Sequence, residues 1–563
     1  MASTSRAIRA TCLFWLLAVT PGAVGDADPL PAILAAELER NFSVLKERAD
    51  PPPYFLSYAL TDQRTASVQG TLGAILGANQ RHSRFLDVSV RVGSPELDNY
   101  HRVRGEFPSF TGGSMVPVED VSLALRRRLW IETDRTWRRA ADRLIKIKTN
   151  TQVKVAEEDD SHDFSEEKPA AALRQEPPLA FDQSAWEGRV RKLSVAFRKY
   201  PAALTSQVSV FVLAETKYLV STEGSRIRHG RGFARIIVSA VGRAEDGMDL
   251  STSESFEAVD AAGLPDDAAI LAAIDRVGRD LTGLIQAPVV EPYVGPAILS
   301  GRAAGVLFHE IFGHRIEGHR QKDESEGQTF TRSVGSEVLP TFLSVVFDPT
   351  RRKEGTTDLN GWYDFDDEGV AARPVTAVED GVLREFLMSR SPIRGFPQSN
   401  GHGRRQVGRE VVARQSNLLV RSSRSVPEAR LREMLIEEVK RQGKPFGFYF
   451  DQVTGGFTTT GRGGLQAFKV LPVVVYRVYP DGRPDELVRG VDIVGTPLAS
   501  FAKIAATGDR TEVFNGYCGA ESGSVPVSAV APALLVTEIE IEKRQKSEQR
   551  PPLLPPPSVG DGA

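Results

Sequence analysis

The stretch Ser300-Gly-Arg-Ala-Ala-Gly-Val-Leu-Phe-His309-Glu310-Ile-Phe-Gly-His314-Arg-Ile-Glu317-Gly-His319 constrains this chain more than any other. Three of its eight histidines fall within these last eleven positions, and a glutamate adjoins the first. Imidazole is the commonest protein ligand for a transition metal, and a neighbouring carboxylate can serve as general base on a metal-bound water. Ser300 is a good helix N-cap, so a helix is expected to run from it into the histidines, with Gly318 as its end. Two histidines four apart on a helix lie about 40° apart, but His309 and His314, five apart, diverge by roughly 140° at 3.6 residues per turn. A straight helix cannot aim both at one ion. A π-type turn or a distortion at Gly313 would bring them together, and such irregularities concentrate at functional sites. Spacing alone leaves two readings open, a bent metal-bearing helix or an amphipathic helix with partly exposed histidines.

The 563 residues suffice for two or three domains, and 41% apolar with 25% charged residues is ordinary for a globular protein. A net charge of −3 gives no electrostatic footprint for nucleic acid and argues against a nucleic-acid partner. Arg6 and Arg9 precede the apolar run Cys12 to Val19, and Pro21-Gly-Ala23-Val-Gly25-Asp26 follows. That pattern reads as a signal peptide, residues 1–25, directing the chain to the periplasm or the outside; the other reading is an uncleaved anchor. No later stretch is long and apolar enough for membrane insertion once the signal is removed. Only two cysteines exist, and Cys12 leaves with the signal. Cys518 is then the single thiol of an exported chain. Metal ligation would explain it, since zinc holds cysteine as thiolate; so would burial as an inert residue.

An amphipathic helix is expected over 30–48, then strands at Tyr54–Leu60, Ser67–Leu72 and Phe85–Val92, and a long helix over 118–148. Residues 150–182, charged and then Pro-rich, form a linker or exposed loop. A helix marked by Trp186, Val190, Leu193 and Phe197 precedes a strand-rich meander, Val208–Ala214, Lys217–Ser221, Arg226–His229 and Phe233–Val241. Ile270 to Leu284 repeat at helical spacing up to Pro288. The first half, 26–287, is thus a mixed α and β domain whose role is scaffold or substrate enclosure. After Pro288 come a short strand at Ala297, the histidine helix, a polar segment over 320–340 readable as a lid or a plain loop, and a helix starting at Ser425. Strands dominate from Phe446 to Glu542. The glycine-rich run 455–464 lacks a following Lys-Ser/Thr and a helix, which argues against a nucleotide site. The tail 546–563 is Pro-rich and expected to be disordered. Four carboxylates at 364–368 fit no calcium-loop pattern, and only a structural or substrate-amine role is suggested for them. The arginines at 404, 405 and 414 suit either a substrate anion or structural ion pairs.

His309-Glu-Ile-Phe-Gly-His314-Arg-Ile-Glu-Gly resembles the His-Glu-x-x-x-His signature of the TldD/PmbA family of metallopeptidases. The likeness continues in order through Asp366-Asp-Glu-Gly369, Gly401-His402-Gly403-Arg404-Arg405, Arg414-Gln-Ser-Asn417 and Tyr517-Cys518-Gly519, from about Pro288 to Lys543. Two departures stand out: the export signal, and His319 where relatives carry an acidic residue. The resemblance implies an α+β fold, a mixed α/β N-terminal domain followed by a β-rich C-terminal metallopeptidase domain, 288–545, with a metal-bearing helix. It implies His309, His314 and Cys518 as Zn2+ ligands and Glu310 as general base of a zinc-dependent peptidase acting on peptides or unfolded segments. His319 is better placed beside the site or at the surface than as a ligand, and Glu317 as a partner of the ligands. The family pairs a motif-bearing subunit with a relative lacking the motif, so a homodimer or a heterodimer is expected. The rival readings are a non-catalytic peptide-binding or modulator protein of the same family, and a metal-dependent hydrolase of a non-peptide amide.

Overall fold

The computed structural model describes residues 28–563 except 104–105, 107, 152–158, 464–466, 547–549, 553, 555–556 and 558–563. The expected signal, 1–25, and most of the tail expected to be disordered therefore lie outside the described residues. Helices and many strands make up the fold, and its C-terminal half is β-rich.

The first half is built on two long antiparallel hairpins. Pro53–Thr71 pairs with Ala74–Val92, and Thr205–Ser221 pairs with Arg226–Arg243. The hairpins join through Pro53–Thr71 and Thr205–Ser221, and Asp249–Ala258 adds a further strand beside Arg226–Arg243. Side chains alternate across a strand, so one face collects Tyr58, Leu60, Val68, Val208, Val210 and Val212. That face buries the apolar stripes of Leu30–Arg48, Ser122–Thr151, Gln183–Ser194 and Asp267–Gln286. Gln63, Thr65, Leu213, Glu215 and Lys217 have the opposite parity and face the second half of the molecule.

The second half centres on a closed ring of strands. Tyr293–Leu299 bonds Gly447–Thr458 on one side and Gly523–Lys543 on the other. Phe468–Val478 and Val491–Gly495 complete the circuit between those two. The helix Gly301–Ile311 follows the closing strand directly and packs on Gly523–Lys543, Gly447–Thr458 and Ile504–Ala520. It is apolar nearly all round and every one of its residues but Arg302 is buried, as expected for a helix inside a core. The polar segment 320–340 is anchored: Phe330 and Leu339 are buried in the same core, and the Gly327 N–H donates to the Thr460 carbonyl (2.7 Å). It is tethered to the core at these points.

Candidate metal centre

The helix ends at Ile311, seven residues before Gly318, where the sequence placed its stop. Phe312 still closes the last α-turn onto Phe308 (3.0 Å), but its φ of −113° and ψ of −55° break the regular path. Gly313–Ile316 then winds as a tighter 3-10 turn. The distortion thus falls at Gly313, in the tight 3-10 form instead of the wide π form. Packing requires glycine there: a Cβ would lie 1.9 Å from Oε1 of Gln415. The bend turns His314 back towards His309, and their ring centroids are 5.1 Å apart at 84°.

The third group comes from a distant strand. Cys518 lies near the end of Ile504–Ala520, and its Sγ is 3.3 Å from Nε2 of His314. One donor atom each from His309, His314 and Cys518 falls within 4.8 Å of the others, and all three residues are buried. Glu310 is buried beside them, with Oε2 at 4.0 Å from His314 Nε2. Its side chain lies over the bare backbone of Gly456, where a Cβ would come within 2.7 Å of the Glu310 Cγ. The glycine-rich run has its use here, as a wall that leaves room for a carboxylate.

Buried partners hold each donor. Glu317 is fully buried and its Oε2 meets Nδ1 of His314 at 3.3 Å, while Arg320 Nε donates to the same oxygen (2.8 Å). Arg414, also fully buried, donates from Nη2 to the Cys518 carbonyl (2.7 Å) and to its Sγ (3.1 Å). Its Nη1 bonds Ser522 Oγ (2.8 Å) and the Gly523 carbonyl (3.0 Å), and Nε lies 3.4 Å from Glu317 Oε1. The Gln415 amide donates to the His309 carbonyl (3.2 Å) and approaches its Nε2 (3.4 Å). The Arg414-Gln415 pair stands out in the sequence only as part of a family-like segment. Its contact with the sulfur depends on a fold that joins positions 104 residues apart. His319 stands aside from the three donors, buried and paired through Nε2 with Glu521. Arg404 donates to the Gln415 and Pro526 carbonyls (2.6 and 2.8 Å), and Asp366 accepts backbone N–H groups of Glu368, Val370 and Gly403, so both are architectural.

Electrostatics follow from this packing. Burial alone would raise the Cys518 thiol, but the His314 and His309 imidazoles pull it well below its ordinary value. Burial would depress His314, yet the sulfur and Glu317 hold it well above the usual imidazole range. Burial opposes ionisation of Glu317 too, and His314 with Arg320 nonetheless brings it down to about 2. Glu310 is pushed up by burial, against the pull of both histidines. A thiolate and two imidazoles converging at one point form a donor set suited to zinc, with an outer shell that fixes their orientation. They open on a cavity of about 840 Å³, bordered by Arg302, Arg320, Asp451, Glu512 and Glu521.

Residues 293–543 match the model described as PmbA/TldA metallopeptidase C-terminal domain. A Haemophilus influenzae protein named metalloprotease TldD homolog is 26% identical over 340 residues, 58% of this chain and 65% of its own length. A Methanocaldococcus jannaschii metalloprotease is 30% identical over 231 residues, 41% of this chain and 47% of its own. The matched stretches thus span less than two thirds of either relative. Among solved structures, TldE from Thermococcus kodakarensis superposes with a TM-score of 0.60 at 14% identity, over 89% of this chain and 100% of that one. The last likeness is one of fold.

Proposed function

As this chain belongs to the TldD/PmbA family, we propose that it is a zinc-dependent peptidase, with His309, His314 and Cys518 as ligands and Glu310 as general base. One observation carries the reading: two imidazoles, a thiol and a carboxylate from a bent helix and a distant strand converge on a cavity large enough for a peptide. Bound zinc would supply Lewis-acid polarisation of a scissile carbonyl and lower the pKa of a water to about 7. Glu310 takes a proton from that water and returns it to the departing amine. Its burial favours the second transfer, because a carboxyl raised above its ordinary value holds a proton more readily. Glu317 keeps His314 oriented by its Nδ1, and Arg414 keeps the sulfur in place.

Elemental analysis of the purified protein should find one zinc per chain, and His309→Ala should lose it. Glu310→Gln should keep the metal and cut an unstructured peptide at least 100-fold more slowly, in line with the usual contribution of a general base. Cleavage by Glu310→Gln at the parental rate would overturn the reading. A zinc-loaded parent that binds peptides without cutting them would favour the modulator reading instead. We further place the protein outside the cytoplasm, on the strength of the N-terminal segment. It works there as a homodimer or beside a family relative. N-terminal sequencing of the exported form should begin near Asp26, and light scattering should find more than one chain.

A further inference from the structure

A second cavity, of about 550 Å³, lies between the helix-free face of the N-terminal sheet and the segments around 362–367 and 404–407. Tyr517, the residue before Cys518, borders both this cavity and the metal cavity. Six aromatic rings line it, those of Phe85, Phe211, Trp362, Tyr363, Phe365 and Tyr517. Its two ends differ in chemistry. Tyr517 meets Phe233 edge-on at 6.2 Å, and Phe233 stands opposite Leu213 in the sheet, so that end is aromatic, with the Arg235 guanidinium stacked over both rings at 5.7 and 5.2 Å. Four residues along the same strand Lys217 stands opposite His229, and Glu215 opposite Arg231.

The charges here do not cancel. Lys217 pairs with Asp367 at 2.6 Å and Arg231 lies 3.6 Å from Glu215, while Arg404 and Arg405 also line the walls. Among the side chains that line the cavity, the four cations Lys217, Arg231, Arg404 and Arg405 outnumber the three acids Glu215, Asp366 and Asp367 by one. His229 is about nine-tenths buried, and its ring makes no side-chain hydrogen bond among the described residues; the edge of Phe365 at 5.8 Å is its aromatic neighbour. Burial lowers it to about 4, so at neutral pH it faces the cavity as an uncharged imidazole with a hydrogen bond to give. Aromatic walls, one lining cation in excess and an imidazole N–H open to the cavity suit an occupant with a large apolar group and a carboxylate.

We propose that this cavity binds an aromatic carboxylate, its ring among the aromatic side chains and its carboxylate against His229 at the cationic end. That the natural occupant is the C-terminal residue of a peptide reaching past Tyr517 rests on the peptidase reading; the binding of an aromatic acid does not. Calorimetry on the full chain with N-acetylphenylalanine as probe tests it, with circular dichroism to verify folding of each variant. Saturable binding is expected, at least tenfold weaker in both His229→Leu and Phe211→Ala, and unchanged within twofold in Cys518→Ala and Glu310→Gln. N-acetylphenylalaninamide should bind at least tenfold more weakly than the acid. Binding lost in Cys518→Ala but intact in His229→Leu would put the probe in the metal cavity and overturn the proposal. No saturable binding to the folded parent, or equal affinity for acid and amide, would overturn it as well. Failure of the peptidase reading shows separately, in the cleavage rate of Glu310→Gln.

Discussion

Arg414 fixes the sulfur. Its buried guanidinium, itself held by Ser522 Oγ and the Cys518 and Gly523 carbonyls, presents a donor to Sγ at 3.1 Å and favours the rotamer that faces the imidazoles. Arg414→Lys keeps the charge but loses the fork, so metal affinity should fall about 10–100-fold, as is usual when an outer partner of a ligand is lost. Chelator competition measures it, and an unchanged affinity would deny Arg414 this role. His402 carries a different prediction. It is fully buried, and burial lowers it to about 3, far under the 6.5 it has when unfolded. Below pH 6.5 the unfolded chain therefore binds a proton that the folded chain refuses. The stability contributed is whole above that pH and is lost as pH falls from 6.5 towards 3, by up to about 1.4 kcal/mol per pH unit. Denaturant titrations between pH 7 and 4 should show a shallower acid loss in His402→Gln than in the parent.

The helix and the turn after it set what the ligands can do. Gly313→Ala drives a methyl into Gln415, so a loss of about 1–3 kcal/mol is expected in urea unfolding, together with weaker zinc binding. Gly456→Ala should act differently. Its methyl collides with the Glu310 side chain and the Lys469 carbonyl, and none of the three donors is among its three nearest atoms, so zinc should stay while cleavage falls. Equal loss of both would show that the wall and the ligands are one unit. At this scale the sequence was only partly legible. The need for a break near Gly313 follows from the five-residue spacing alone, but its sense does not, because the neighbour that decides it, Gln415, is remote in the chain. The expected strands Tyr54–Leu60 and Ser67–Leu72 are one strand, Pro53–Thr71. Buried Asp62, which accepts from Arg84 Nε (2.9 Å), interrupts the apolar pattern without interrupting the strand. Asp249–Ala258 went unseen because its buried positions include Thr252, which presents no apolar alternation.

At the scale of the molecule, polar contacts tie the two halves together. Arg390 grips Glu223 with two bonds of 2.7 Å, Lys217 pairs with Asp367, and Glu410 accepts the N–H groups of Phe110 and Thr111 (2.6 and 3.0 Å). Cutting the chain at 288 would leave buried Arg390 and half-buried Asp367 and Glu410 without these partners. The full chain should therefore unfold in one transition, and residues 288–545 expressed alone should unfold at lower denaturant; two separate transitions in the full chain would contradict this. The sequence announces a change in character near Pro288 but not these ties, since each joins residues far apart. The fold also has a temporal side. His314 and Cys518 stand 204 positions apart, and the helix bearing the histidines starts where the ring of strands is sealed. A nascent or truncated chain that has not yet supplied its last strands holds two imidazoles and no sulfur. On the proposed peptidase reading, such a chain would lack a complete ligand set, and so could not cut, until synthesis is nearly finished.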